Sequence, residues 1–371
     1  MIYMDYNATA PWSASVKRYF EDGLSEDWIN PSSVHALGER GSTLLKMARS
    51  EIAETINCPP ANIVFTSGAT ESINSILNYR NLKYLGVSIV LSSRLEHSAS
   101  LTCLKESESQ GCEVGWIKNN SQGDLDLDSL ELLLSGRSGI LVSISHVNNE
   151  TGVIADVEAI RKISSKHGAL LHVDCAQSLG KVPLDLVSLN ADFVSLSGHK
   201  IGAMKGAGLL VFSEEKFLPL ILGGQQEMGL RGGTTNLVAI RSFQFALKDI
   251  DFELTKRLSL LRDELESSIL TLSDDFRING NLKRRIYNTA NIYFKGINNL
   301  ELLLYLSVND IFVSTGSACT SGSIEPSHVI QEMGFDREFA RSCLRFSIGP
   351  DTTPEKVSQT TAAIRTFISK G

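Results

Sequence analysis

Ala191-Asp192-Phe193-Val194-Ser195-Leu196-Ser197-Gly198-His199-Lys200 is the stretch whose reading decides the fold. Its first six residues are an apolar run that reads as a strand entering a buried sheet. Ser197-Gly198 ends the run, and a lysine stands just beyond it. Earlier, Ala169-Leu170-Leu171-His172-Val173-Asp174 ends the same way on an aspartate. In an open α/β sheet, ligands collect outside the carboxyl ends of the strands. A Lys and an Asp brought to that edge admit two readings. One is a buried ion pair between neighbouring strands. The other is the pair a pyridoxal phosphate site requires, an amine for the Schiff base and a carboxylate facing the pyridinium nitrogen.

Working outward, the spacing predicts strands near 63–66, 87–92, 113–117, 139–145 and 207–212, beside those at 169–174 and 192–197. Helices are expected near 13–24, 38–56, 97–110, 126–134, 155–167 and 178–181. In the second of these, Leu44, Leu45, Ala48, Ile52 and Ile56 recur at helical spacing. Strands separated by helical patterns imply βαβ units and a largely parallel sheet. Past residue 250 the texture changes. Phe252, Leu254, Leu258, Leu261, Leu265, Ile269 and Leu272 mark a long amphipathic helix leading into a second domain. A strand at 289–295, a helix at 299–308 and strands at 311–314 and 343–348 follow. The last helix is capped by Thr353 with Pro354 at its first position.

A chain of 371 residues exceeds one small core, so two domains are expected. A net charge of −7 and a pI of about 5.6 argue against direct nucleic-acid binding. The run Lys283-Arg284-Arg285 reads as a solvated turn. The N-terminus carries no secretory pattern and no apolar stretch is long enough to span a membrane. The six cysteines, at 58, 103, 112, 175, 319 and 343, form no C-x-x-C pair. Neither a metal site nor a disulfide framework is indicated, and reduced thiols in the cytoplasm fit this pattern.

Ser67-Gly68-Ala69-Thr70-Glu71-Ser72 joins a short strand to a helix start. Small residues there let backbone N–H groups close on an anion; the plain alternative is a strand–helix turn capped by Thr70. It lacks the G-K-[ST] ending of a P-loop. His97, Asn148 and Asn149, Asp174 and Gln177, and Ser197, His199 and Lys200 stand at or after strand ends. One such histidine is an ordinary structural residue, but together these groups converge on one sheet edge.

These motifs resemble the pyridoxal-phosphate enzymes of the class V aminotransferase superfamily, and within it the cysteine desulfurases of the NifS/IscS kind. The resemblance rests on Asp5-Tyr6-Asn7-Ala8-Thr9, Asn30-Pro31-Ser32-Ser33-Val34-His35, Thr66-Ser67-Gly68-Ala69-Thr70-Glu71-Ser72 and His146-Val147-Asn148-Asn149-Glu150. It continues in His172-Val173-Asp174, Ser197-Gly198-His199-Lys200, Arg231-Gly232-Gly233-Thr234, Thr315-Gly316-Ser317-Ala318-Cys319-Thr320-Ser321 and Leu344-Arg345-Phe346-Ser347. They follow the family's order across nearly the whole chain.

The resemblance implies an α/β chain of PLP-dependent transferase fold type I. A large domain, 14–250, would hold a mostly parallel seven-stranded sheet flanked by helices. A smaller α+β domain would combine 1–13 with 251–371. Lys200 would carry the cofactor as a Schiff base, Asp174 would pair with the pyridine nitrogen, and Gln177 would bond the ring hydroxyl. His97 would stack on the ring and move protons. Ala69, Thr70, Ser197 and His199 would bind the phosphate, with Thr234 from a second subunit of a homodimer. Asn149 would lie beside the ring, and Arg345 would grip the substrate carboxylate, a task suited to its planar fork.

Cys319 sits among small residues, Ser314 to Ser323, where a thiol gains little from packing, so reactivity is the better account of it than an incidental surface thiol. Cys175 and Cys343 lie in apolar strand contexts and read as structural. The implied reaction converts L-cysteine to L-alanine, with the sulfur taken by Cys319 as a persulfide. From there it would pass to an acceptor protein for iron–sulfur cluster, thio-cofactor or tRNA biosynthesis. Rival readings are another class V enzyme, an aminotransferase or selenocysteine lyase, and a non-catalytic interaction protein; the last would not need Lys200 and Asp174. The chain departs from the pattern in Ile201-Gly202-Ala203-Met204-Lys205-Gly206, where a Gly-Pro turn is usual, and in Ala10, where a second Thr is common. It stops at Gly371, so the scaffold-docking tail of some relatives is not expected.

Overall fold

The computed structural model describes residues 1–22, 27–213, 216–316 and 325–370. Among these, β2 (Ile63–Thr66), β3 (Ile89–Ser93), β4 (Glu113–Ile117), β5 (Ile140–Ser145), β6 (Leu170–Asp174), β7 (Phe193–Ser197) and β8 (Gly208–Phe212) form one sheet, β1 (Ile2–Tyr3) lying outside it. The order is β2-β8-β7-β6-β5-β3-β4. β4, β3, β5, β6 and β7 run parallel, and β8 runs antiparallel to both its neighbours. The expected seven-stranded, mostly parallel sheet is therefore present.

Period-two alternation explains why this sheet is covered on both sides. Val194, Leu196, Leu209 and Val142 enter a core with Ile52 of the helix Ala36–Thr55, with Ile56 that caps its end, and with Phe243 of the helix Leu237–Leu247. Phe193, Leu210, Leu141 and Val90 face the other way and pack with Ile73 and Ile76 of the helix Ala69–Leu77 and with Leu104. The helix Leu237–Leu247 was not legible in the pattern because eight of its eleven residues are buried. A helix buried nearly all round shows no polar stripe.

A third core gathers Leu258, Leu261, Leu265 and Ile269 of the long helix Leu254–Leu270 with Ile292 of β10 (Thr289–Tyr293) and with Leu344 and Phe346 of β12 (Cys343–Ser347). β10 pairs antiparallel with β12 and with β9 (Arg277–Asn279). β1 pairs with β11 (Ile311–Phe312), so Ile2 and Met4 join this core. The last helix, Pro354–Ile368, is capped by the Thr353 side chain with Pro354 at its start, as the sequence predicts. No helix among the described residues is long and apolar enough to cross a membrane.

Two expectations fail. Residues 178–181 form successive hydrogen-bonded turns instead of a helix, Ser178 N–H bonding Cys175 O and Lys181 N–H bonding Ser178 O. Gly180 (φ +72°) breaks the helical path there, and an added Cβ would lie 2.8 Å from Ile201 Cγ2. The second failure is the basic run 283–285. Arg285 forms an ion pair with Glu266, their side chains 5% and 6% exposed, and Arg284 pairs with Asp124 and Asp156. Lys283 is exposed in a turn as expected, but both arginines meet carboxylates remote in sequence, which no local pattern announces.

Candidate active site

The carboxyl ends of β2, β3, β5, β6 and β7 open on one cavity of about 430 Å³. Ala69, Thr70, His97, Asn149, Asp174, Gln177, Ser197, His199 and Lys200 all line it, with Ser67, Gly68, Ser145, Lys205 and Gly206. The strands bring these groups together because parallel neighbours end on the same edge.

Lys200 lies in a single 3₁₀ turn, Gly198–Ile201, directly after β7. Gly202 ends that turn at φ +85°. An added Cβ would sit 2.7 Å from both Pro11 O and Ser13 N, so the N-terminal arm packs straight onto the turn. Gly202 thus closes the loop where a Gly-Pro turn is usual. Ser13 N–H bonds Gly202 O, and Ala10 N–H bonds His199 O. Lys200 Nζ donates to the main-chain oxygens of Asn7 at 2.6 Å and Ala8 at 2.9 Å. Burial lowers its pKa from 10.5 to about 8, helped by the Arg345 cation and opposed by Asp174 and Asp5.

Asp174 ends β6 and is 7% exposed. Burial raises its pKa to about 6, against the Ala176 N–H bond at 2.9 Å and the nearby Lys200 charge. A cation bound in the cavity would stabilise such a carboxylate. Behind it lies Glu96, 4% exposed, which accepts from Ser145 Oγ and is pushed up to about 8 by burial. Glu96 thus holds its proton and leaves Asp174 as the carboxylate that ionises.

The helix Ala69–Leu77 begins at Gly68, which supplies no side-chain cap. Thr70 is therefore not the cap, and the first-turn residues Ala69 and Thr70 line the cavity beside Gly68. That is an anion-binding start. His199 Nδ1 lies 3.2 Å from Thr9 Oγ1, and burial lowers its pKa to about 4, so the ring is neutral. His97 caps the helix Ser98–Ser109, Nδ1 accepting the Ala99 N–H at 3.1 Å. Its proton then resides on Nε2. Partial burial, with Lys200 next, holds its pKa below the usual histidine range.

Three predicted residues stand apart. Thr234 lines an adjoining hollow with Phe65, Thr66, Arg231 and Gly233, which shares Ser67 and Gly206 with the main cavity. Arg345 does not line the cavity; it is 3% exposed, paired with Asp5 at 2.6 Å and bonded to Asn149 O at 3.0 Å. Cys319 lies outside the described residues. Of the other cysteines, Cys103, Cys112, Cys175 and Cys343 are buried and Cys58 is half-buried. Burial raises all five thiol pKa values, to about 11 for Cys58 and Cys103 and about 12 for Cys343.

Asn7 and Lys181 are components the sequence reasoning missed. Asn7 is 1% exposed, and its Nδ2 donates to Asn149 O and Thr289 Oγ1. Its place in the motif at residues 5–9 was the available signal. Lys181 had none, since it follows Gln177 by four residues in a turn.

The profile of the family described as aminotransferase class-V matches residues 2–360. The chain belongs to this family. Among similar proteins, a cysteine desulfurase of Nostoc sp. is 38% identical over 364 residues, covering 97% of this chain and 90% of that protein. Among solved structures, a NifS-like protein is 32% identical with a TM-score of 0.91, each chain covered in full. A protein described as SspA in complex with cysteine is 31% identical with a TM-score of 0.83, over 95% of this chain and 100% of that one. Lys200 and Asp174 both line the open cavity, and Lys200 Nζ bonds main-chain oxygens of Asn7 and Ala8.

Proposed function

We propose that this chain is a pyridoxal-phosphate-dependent cysteine desulfurase. It converts L-cysteine to L-alanine and takes the sulfur onto Cys319 as a persulfide, for delivery to an acceptor protein in iron–sulfur cluster, thio-cofactor or tRNA biosynthesis. The observation that carries this reading is the convergence of Lys200, Asp174 and the anion-ready start at Gly68–Thr70 on one cavity, in a chain whose relatives bear that name.

The residues present fit the cofactor. Lys200 would hold it, Asp174 would face its ring nitrogen and Gln177 its ring oxygen. Ala69, Thr70, Ser197 and His199 would take its phosphate, Thr234 of a second copy would complete that pocket, and Asn149 would lie beside the ring. When bound, the group supplies an electron sink for the pair left at the substrate Cα. Lys200 Nζ takes and returns the Cα proton, which its lowered pKa suits. His97 presents Nε2–H as a donor at the mouth of the cavity. Arg345 orients the substrate carboxylate, which requires its Asp5 pairing to be shared or exchanged. The Cys319 thiolate attacks the substrate sulfur. A sulfur–sulfur bond forms and the carbon–sulfur bond breaks with its electron pair staying on carbon, so one cysteine and one thiol yield one alanine and one persulfide. The raised pKa values of the other five cysteines support Cys319 as the thiolate.

The domain reading goes with this function: residues 14–250 would carry the cofactor, while 1–13 and 251–371 would form the smaller domain, to which Arg345 and Cys319 belong in sequence. A cytoplasmic homodimer is the proposed working form. The test is turnover of L-cysteine with a reductant present: alanine and sulfide should appear in equal amounts. Transfer of the amino group to an added 2-oxo acid would indicate an aminotransferase instead.

A further inference from the structure

Lys181 is a buried lysine to which the chemistry above gives no task. It is 7% exposed, and its Nζ reaches Asn7 Oδ1 at 2.7 Å and Gln177 Oε1. The Asn7 main-chain oxygen in turn accepts from Lys200 Nζ at 2.6 Å and Gln177 Nε2 at 2.8 Å. One asparagine of the N-terminal arm therefore joins both lysines and Gln177. Burial lowers the Lys181 pKa well below that of an ordinary lysine, and the Lys200 and Arg345 cations lower it further; the Asp174 and Asp5 carboxylates act on Lys200. Among the described residues no carboxylate pairs with Lys181, which is held by neutral amides.

A lysine nitrogen between two amides selects their oxygens, because an amide turned over would set its NH₂ against another donor. Lys181 thereby fixes both orientations together with the main-chain oxygens of Asn149 and Asn7, which accept from the Asn7 and Gln177 amide N–H groups. Asn7 sends Nδ2 to Asn149 O at 3.1 Å and Thr289 Oγ1 at 2.9 Å. Gln177, which lines the cavity, can offer it only N–H: one hydrogen goes to Asn7 O and the other remains for an acceptor there.

We propose that Lys181 is a positioning residue that makes Gln177 an obligate hydrogen-bond donor to an anionic ring oxygen of the group held by Lys200. The inference rests on the cofactor reading above and adds a residue to it. A donor at that oxygen stabilises the deprotonated form of the lysine-linked chromophore, so removing it raises the pH at which the chromophore titrates.

The test is an absorbance titration of the cofactor-loaded protein, wild type beside Lys181→Met, Lys181→Arg and Gln177→Leu. The Met and Leu variants should each titrate at least about one pH unit higher than wild type, whereas the Arg variant, which keeps the donors, should stay close to it. A lysine that only fills space would change melting temperature or cofactor retention and leave the midpoint alone. An unshifted midpoint in Lys181→Met, or an Arg variant shifted as far as Met, overturns the inference. Should the Met variant not fold, an unshifted Gln177→Leu overturns it equally. Failure of the cofactor reading looks different: wild type would show no lysine-bound band, or Lys200→Ala would retain it.

Discussion

Lys200 must be unprotonated to form a Schiff base, so its acidity sets how fast the stripped protein recaptures its cofactor. Its pKa of about 8, against 10.5 for an ordinary lysine, leaves about one-tenth of the amine neutral at pH 7. An unperturbed lysine would be neutral in only about one molecule in 3,000, so the site gains about 300-fold in reactive amine. Burial is the main cause, Arg345 adds to it, and Asp174 and Asp5 oppose it. The assay is the rate of appearance of the lysine-bound absorbance band after mixing stripped protein with pyridoxal phosphate, followed from about pH 6 to about pH 10. The rate should rise with pH and level off around 8. Arg345→Gln, which removes a cation, should move the inflection upward; Asp174→Asn, which removes an anion that favours the ammonium, should move it down. A wild-type rate that still climbs tenfold per pH unit beyond about pH 9 would refute the assignment of a depressed Lys200.

Two further substitutions probe other parts of the account. Asp174→Asn removes the carboxylate proposed to face the ring nitrogen; leaving a buried charge unpaired costs about 3–5 kcal/mol, so L-cysteine turnover should drop at least a hundredfold. Unchanged turnover would show that this carboxylate is not the ring partner. Gly202→Ala places a Cβ against Pro11 O and Ser13 N at a φ of +85°, and should lower stability by about 1–3 kcal/mol in urea unfolding. Gly206→Ala, at φ +89° with open space around it, is the control and should cost less.

The strand-end logic carried most of the fold and much of the site. Val194, Leu196 and Val142 had to be buried, and parallel strands then had to deliver Asp174, Asn149 and Lys200 to one edge. What escaped it depends on contacts between remote segments. Arg345 meets Asp5 from 340 residues away, and Arg285 finds Glu266 on another element. Asn7 sits in a short arm with no periodicity, yet it organises Lys200, Gln177 and Lys181 because the arm pairs with β11 and packs on the turn that carries Lys200. Residues 178–181 read as helical because their side chains are helix-compatible; Gly180 and the buried polar bonds of Lys181 decide otherwise.

The central claim is that sulfur passes from L-cysteine to Cys319. The most direct measurement is peptide mass mapping after one equivalent of L-cysteine has reacted with the loaded protein in the absence of reductant, with alanine counted in the same sample. The account predicts the added mass of one sulfur atom on the peptide containing Cys319 and one alanine per modified chain. Alanine formed with Cys319 unmodified, or sulfur carried on Cys58 instead, would contradict it.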